Sequence, residues 1–302
     1  MYKSVYLKRG KEDSLKRFHP WIFSGAINSM DENIEDGEIV RVFTNDNAFI
    51  ATGFFQIGSI AVRVLSFSDI EINDEFWYRR LSAAYSMRKA LGIINEDYNT
   101  TFRLFHGEGD YIPGLIVDCY GDTAVMQAHN VGIHVFRHDI CKAIVAVTGG
   151  RIKNVYYKSE TTLPYKAEID SSNGFIYGSM NTDVTIENGL KFHVDWLKGQ
   201  KTGFFVDQRE NRKLLEMYSR DKNVLNMFCY TGGFSVYAMR GGAKTVHSVD
   251  SSSKAIELTN QNVALNFPDD KRHTAFCEDA FKYLDHNCQE VGGQAVLGRQ
   301  PS

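Results

Sequence analysis

The sequence predicts a multidomain α/β protein with a small N-terminal β-barrel, a central α+β domain and an incomplete C-terminal doubly wound parallel sheet. Three observations predict it. The 302 residues exceed one average domain of roughly 150. The first seventy residues read as short strands bounded by turns, and from residue 222 onward strand and helix signals alternate as β-α-β-α-β-α.

Composition is that of a globular chain. Hydrophobic residues at 43% and charged residues at 24% argue against disorder. No apolar run approaches the ~18 residues of a membrane span. The N-terminus, MYKSVYLKRG, lacks the apolar core and cleavage site of a secretion signal, so a cytoplasmic location with no membrane partner is expected. Five cysteines, Cys119, Cys141, Cys229, Cys277 and Cys288, form no C-x-x-C pair, so reduced thiols and no metal site are expected. A net charge of -3 gives no overall case for nucleic acid. Locally, Lys3, Lys8, Arg9, Lys11, Lys16 and Arg17 face Glu12 and Asp13, a basic cluster that most often forms a solvated face.

Residues 1–72 form the first predicted domain, with strands at Trp21-Ile22-Phe23, 38–43, 48–55 and 60–65. Residues 73–180 form the second. It opens with a helix from Asp74 to Leu91 whose apolar face is read as Phe76, Ala83, Met87 and Ala90, ended by Gly92. Strands follow at 101–105, 115–118 and 124–127, then a helix over 134–147 and further strands to about 178. Residues 181–302 form the third. Val184–Glu187 and Lys191–Val194 flank Asn188-Gly189, whose two positive-φ positions suit a type I′ hairpin turn. Asp207 and Glu210 resemble a capping box opening a helix through Tyr218. Then come strand 223–228, helix 234–239, strand 245–249, a helix capped by Ser251 to Ser253 and reaching Asn266, strand 274–277, and a helix with Phe281 and Leu284.

Ligands of such sheets bind at the carboxyl ends of the strands. The first turn, Tyr230-Thr231-Gly232-Gly233, lets a ligand approach closely. Asp250, at the end of the second strand, can accept both hydroxyl protons of a ribose, and Asp279 can accept from an adenine amino group. Either alone could be a helix cap; both together favour a nucleoside. A dinucleotide wants three spaced glycines, but Tyr230 holds the first slot and the third is missing. S-adenosylmethionine has no phosphate and tolerates the bulkier turn, and Lys201 and Gln208 could serve its amino-acid end.

Together these residues resemble a family of bacterial large-subunit ribosomal-RNA methyltransferases: PUA-domain, class I, S-adenosylmethionine-dependent enzymes making 5-methylcytosine. The likeness covers about residues 1–285. "KRGKEDSLKRFHPWIFSGAI" is similar to the PUA opening and "RLFHGEGDYIPGLIVDCYGD" to the central hairpin. "GQKTGFFVDQRENR" resembles the pre-sheet motif, and "VLNMFCYTGGFSVYAMRGGAKTVHSVDSSSKAIELTNQN" the core of the Rossmann-like methyltransferase domain. The resemblance implies cofactor contacts at Lys201, Gln208, Arg209, Asn226, Phe228, Tyr230 and Gly232, at Asp250 and Ser251 for the ribose, and at Asp279 for adenine. It implies that Lys8, Arg9, Lys16 and Arg17 hold ribosomal RNA through phosphates. A homodimer is left open.

The resemblance also implies a fourth strand ending in an Asp-Pro-Pro-type motif and later strands with a catalytic cysteine. Carbon 5 of cytosine is a weak nucleophile, so such enzymes first add a thiolate to the adjacent ring carbon. The ending "EVGGQAVLGRQPS" shows no strand of useful length, and nothing after Glu290 continues the pattern. A truncated copy lacking its catalytic segment is therefore expected, and no cysteine is assigned as nucleophile. The alternative is a non-catalytic RNA-binding protein; an NAD-dependent oxidoreductase is disfavoured by the turn.

Overall fold

A computed structural model describes residues 2–164, 169–179 and 184–287, together with the backbone of 296–298. Cys288, the predicted domain boundary at 180/181 and most of the chain after Glu290 lie outside the described residues. The chain divides into two compact units, residues 1–94 with 102–181 and residues 95–101 with 182–302. No helix among the described residues is long and apolar enough to cross a membrane.

The first unit opens with β1 (Lys3–Leu7), β2 (Trp21–Phe23), β3 (Ile27–Met30), β4 (Ile39–Phe43), β5 (Phe49–Phe55) and β6 (Ile60–Ser66), in the sheet order β2-β6-β5-β4-β1-β3. β1 runs parallel to β4, and the other pairings are antiparallel. Because side chains alternate along a strand, β5 serves two cores. Phe55 joins Val5, Leu7, Val40 and Val62, whereas Phe54 packs against the rings of Trp77 and Phe136.

Helix α1 (Asp74–Ala90) starts where Asn73 accepts the Phe76 amide at 3.1 Å. Its buried face is Phe76, Trp77, Leu81, Ala84 and Arg88, which corrects the predicted face, since Ala83, Met87 and Ala90 are exposed. The physical reason is Arg88, whose guanidinium is buried in a two-pronged pair with Asp110 at 2.6 Å on each arm. A buried arginine makes an inward face look polar in sequence. The second sheet holds β7 (Thr101–His106), β8 (Leu115–Tyr120), β9 (Thr123–Ala128), β10 (Asn154–Tyr157) and β11 (Gly174–Tyr177), in chain order. The single helix predicted over 134–147 is two, α2 (Val131–Val135) and α3 (Arg137–Val147), broken at Phe136.

In the second unit β12 (Val184–Glu187) and β13 (Leu190–His193) pair antiparallel across Asn188 at φ 50° and Gly189 at φ 79°, both left-handed as the turn chemistry predicts. Residues 95–101 attach here: the Gly189 amide donates to the Tyr98 carbonyl at 2.7 Å, and that of Thr100 to the Ile186 carbonyl at 2.8 Å. Helix α4 (Arg209–Tyr218) follows a short 3-10 turn at Val206–Gln208 and has no side-chain cap, so the predicted Asp207/Glu210 box does not form. The inserted turn moves the helix start past Asp207.

Next come β14 (Asn223–Met227), α5 (Gly233–Arg240), β15 (Thr245–Asp250), α6 (Ser253–Asn266), β16 (His273–Cys277), α7 (Ala280–Asn287) and β17 (Val296–Gly298). All four strands are parallel, in the order β16-β15-β14-β17. β17 corrects the expectation that nothing after Glu290 continues the pattern. Its Val-Leu pair supplies a short apolar strand that lies beside β14, Val224 opposite Val296. The winding direction therefore reverses at β14, which makes its carboxyl end the switch point where ligands of such sheets bind.

A buried ion pair fastens the hairpin to the α/β layer. Arg212 of α4 donates two bonds to Glu187 at 2.8 and 2.7 Å, and the Tyr237 hydroxyl of α5 donates a third at 3.0 Å. Both charged side chains are at most 1% exposed, so each depends on the other for its lost hydration.

Candidate functional site: the cleft at the carboxyl end of the sheet

After β14 the backbone turns left-handed at every second residue. Phe228 has φ 56°, Tyr230 φ 49° and Gly232 φ 74°. Such a conformation costs a non-glycine residue about 1–3 kcal/mol, so its neighbours must hold it. The Cys229 amide donates to the Val249 carbonyl at 3.1 Å, and the Tyr230 amide to Asp250 Oδ2 at 3.0 Å. From α6, the Thr259 hydroxyl donates to the Tyr230 carbonyl at 2.9 Å and Asn262 Nδ2 to that of Thr231 at 2.8 Å. Gly232 has no room for a side chain: a Cβ there would sit 2.6 Å from the Thr259 methyl. The Tyr230 hydroxyl accepts the Gln200 amide at 3.0 Å and donates to the Gly203 carbonyl at 3.2 Å. That ring ties the pre-sheet segment to the turn.

A cleft of about 850 Å³ lies here, lined by Phe228, Tyr230, Thr231, Asp250, Ser252, Lys254, Ala255 and Leu258 on one side of the sequence and by Asp195, Lys198, Gly199, Gln200 and Phe205 on the other. The volume is in the range of small-molecule sites. Asp250 sits at the tip of β15 with Oδ2 on the Tyr230 amide and Oδ1 on the Ser252 amide, each at 3.0 Å. A carboxylate has about four lone-pair sites, so two remain for ligand hydroxyls.

Of the residues named from sequence, Phe228, Tyr230 and Asp250 line this cleft. Lys201 does not line it; its ammonium lies over the Phe205 ring at 4.5 Å. Gln208 is buried and its Oε1 accepts from Asn211 Nδ2 at 2.8 Å, while Arg209 pairs with Glu210 at 3.3 Å. Asn226 points into the fold, where its Nδ2 donates to Ser235 at 2.8 Å. Gly232 shapes the turn rather than lining the cleft. Ser251 adjoins it, but Ser252 lines it and caps α6 by accepting the Ala255 amide at 3.3 Å. Asp279 accepts the Phe281 and Lys282 amides at 3.0 and 3.1 Å, the pattern of a helix cap.

The sequence reading missed Asp195, Lys198, Gly199, Gln200, Phe205, Ser252, Lys254, Ala255 and Leu258. The Gly199-Gln200 dipeptide inside the quoted pre-sheet motif was the available signal. The Asp195–Lys254 ion pair had none, because its partners are far apart in sequence.

Three buried thiols are held protonated. Burial pushes the Cys229 thiol up to about 12 and that of Cys141 up to about 11, and raises that of Cys119 as well. Cys277 is exposed at the tip of β16, its thiol 3.7 Å from the Ser251 carbonyl.

In the N-terminal sheet the named cations are spread along the surface. Lys8 donates to the Gly25 carbonyl at 3.0 Å, and Lys16 pairs with Glu12 at 3.5 Å and Asp13 at 3.8 Å. Arg9 and Arg17 are exposed and form no ion pair among the described residues. Beside them Lys11, Trp21 and Phe23 line a groove of about 350 Å³, aromatic surface that the charge count did not reveal.

A reversing parallel sheet, an acidic tip on its second strand and a turn with no phosphate cradle define a nucleoside-binding α/β domain. Residues 140–297 match the model of the S-adenosylmethionine-dependent methyltransferase family, and residues 5–67 match a PUA-like domain. The chain is 38% identical over 289 residues to ribosomal RNA large subunit methyltransferase I of Tolumonas auensis, covering 94% of this chain and 72% of the relative. The same-named protein of Aeromonas hydrophila is 39% identical with the same coverage. Among solved structures, one described as a SAM-dependent methyltransferase from Streptococcus mutans superposes with a TM-score of 0.79 at 25% identity, over 96% of this chain and 74% of that one. Another, a methyltransferase complexed with SAH, gives 0.80 at 25% identity over 96% and 73%.

The chain therefore belongs to the S-adenosylmethionine-dependent methyltransferases, in the family of ribosomal RNA large subunit methyltransferase I. Its cofactor is S-adenosylmethionine, which sets the dinucleotide reading aside.

Proposed function

We propose that this chain methylates large-subunit ribosomal RNA, with carbon 5 of a cytosine as the target atom. The observation that carries the reading is Asp250, with acceptor capacity to spare at the carboxyl tip of β15, in the cleft it shares with the Tyr230-Thr231 turn. When bound, the cofactor supplies an electrophilic methyl group on a sulfonium. Asp250 would take the ribose hydroxyls, Phe228 and Tyr230 would offer ring faces, and Asp279 would reach the adenine end. Lys201, Gln208, Arg209, Asn226, Gly232 and Ser251 would shape and support the site. The ribosomal-RNA target follows the name the relatives carry. Lys8, Arg9, Lys16 and Arg17 would hold the phosphates from a domain at 1–72, with a central domain at 73–180 and the methyltransferase domain at 181–302.

Attack on cytosine needs a thiolate that reaches an unstacked base. Cys229, Cys119 and Cys141 are buried with raised pKa values, so none of them fits, and Cys277 is not assigned the role. No described cysteine is assigned as the nucleophile. This same feature favours the second reading, RNA binding by this chain without transfer of the methyl group.

Isothermal titration with S-adenosylmethionine and with NAD tests the cleft; tighter binding of NAD would overturn the donor assignment. Transfer of labelled methyl to unmodified ribosomal RNA, followed by nucleoside analysis, tests the target. Label in 5-methylcytidine supports the proposal, label in another nucleoside overturns it, and RNA binding with no label selects the second reading.

A further inference from the structure

We infer that Asp195 and Lys254 join the two walls of the donor cleft and set how fast the donor and its demethylated product leave. The inference rests on this cleft being the S-adenosyl site.

The cleft residues come from two stretches, 195–205 between β13 and α4, and 228–258 from the tip of β14 into α6. Two of the side-chain links between them differ in kind. One is the Tyr230 hydroxyl on the Gln200 amide and the Gly203 carbonyl, packed edge-on against Phe205 with ring centroids 5.4 Å apart. The other is the ammonium of Lys254 on Oδ2 of Asp195, with side chains 59% and 25% exposed. The first is sheltered by its ring packing. The second is open to water, where ions screen it and thermal motion can break it.

Asp195 also organises its own wall. Its Oδ1 accepts the Lys198 amide at 2.9 Å, and its carbonyl accepts the Gly199 amide at 2.8 Å, so residues 195–199 form one tight turn. A Cβ on Gly199 would fall 2.1 Å from that carbonyl. Lys254 lies in the first turn of α6, four residues after Asp250. It reaches the opposite wall instead of the near carboxylate of Asp250, which accepts the Tyr230 and Ser252 amides. The ligand-binding wall of α6 is thus strapped to a turn that the Tyr230 ring leaves hinged at Gln200 and Gly203. Separating the walls to release a ligand breaks the ion pair and spares the tyrosine bonds.

The test is the dissociation rate of S-adenosylhomocysteine from the purified chain, followed by stopped-flow displacement. Lys254→Met and Asp195→Asn each raise that rate about two- to fivefold, the scale of an exposed ion pair. Asp195→Asn keeps an acceptor for the Lys198 amide, so the local turn survives. In the wild-type chain added salt speeds dissociation, and in Lys254→Met it does not. Equal rates in wild type and both single variants, or a wild-type rate indifferent to salt, overturn the inference. The salt titration decides it even where a variant fails to fold. Wild-type protein that binds no S-adenosylhomocysteine at all instead indicts the assignment of the cleft.

Discussion

The amide of Tyr230 donates to the carboxylate of Asp250 at 3.0 Å, so the residue that closes the first turn is fixed by the residue that ends the second strand. In the proposed function, turn conformation and ribose recognition share one carboxylate. Asp250→Ala removes the anchor and the proposed ribose acceptor together. It should weaken S-adenosylmethionine binding by about 1.5–3 kcal/mol, roughly ten- to a hundredfold, measured by isothermal titration.

Gly232 combines a left-handed φ with a Thr259 methyl where its Cβ would be. Gly232→Ala should lower stability by about 1–3 kcal/mol. The double change with Thr259→Ser, which removes the methyl, should recover part of it, leaving the conformational share. Denaturant melts of the two variants measure the difference.

Breaking the Arg212–Glu187 pair from one side leaves a bare charge in the interior. Arg212→Met should cost about 3–5 kcal/mol, whereas Arg212→Met with Glu187→Leu should be markedly less damaging. A double variant no more stable than the single would show that the charge is not the source of the loss.

His273 sits where Asn226, Ser235 and Ser248 form a hydrogen-bonded chain, its Nε2 2.8 Å from Ser248 Oγ. Burial holds its pKa down at about 4, with His247 adding to the effect, against an ordinary 6.5. The folded pKa lies below the unfolded one, so the unfolded chain takes up the proton first. Stability from this residue is intact above about pH 6.5 and falls as pH drops toward 4, by roughly 1–2 kcal/mol after allowing for partial exposure. The pH dependence of the melting temperature between 7 and 4.5 should flatten in His273→Gln.

The α/β core was legible because its strands are short apolar runs and its helices keep one apolar stripe, and Asn188-Gly189 announced its turn by chemistry alone. Legibility failed where tertiary partners decide. β3 is a brief edge strand and β1 a five-residue inner one, both mixing polar with apolar residues, and neither was read as a strand. Arg88 hid the inner face of α1. The 3-10 turn at Val206 displaced a capping pattern that was locally sound. In the site, position along the chain identified Asp250 and the turn, because strand tips can be counted. It could not tell that Asn226 faces inward, or that Lys254 crosses to Asp195, since both follow from packing.

Phe228 and Tyr230 occupy backbone wells that glycine would enter without penalty. The molecule gives up conformational ease at two positions and gains two aromatic surfaces in the cleft proposed for its donor. Improving robustness and improving ligand capture thus pull these two sites in opposite directions, so a variant library ranked by heat tolerance alone would steer them away from catalysis.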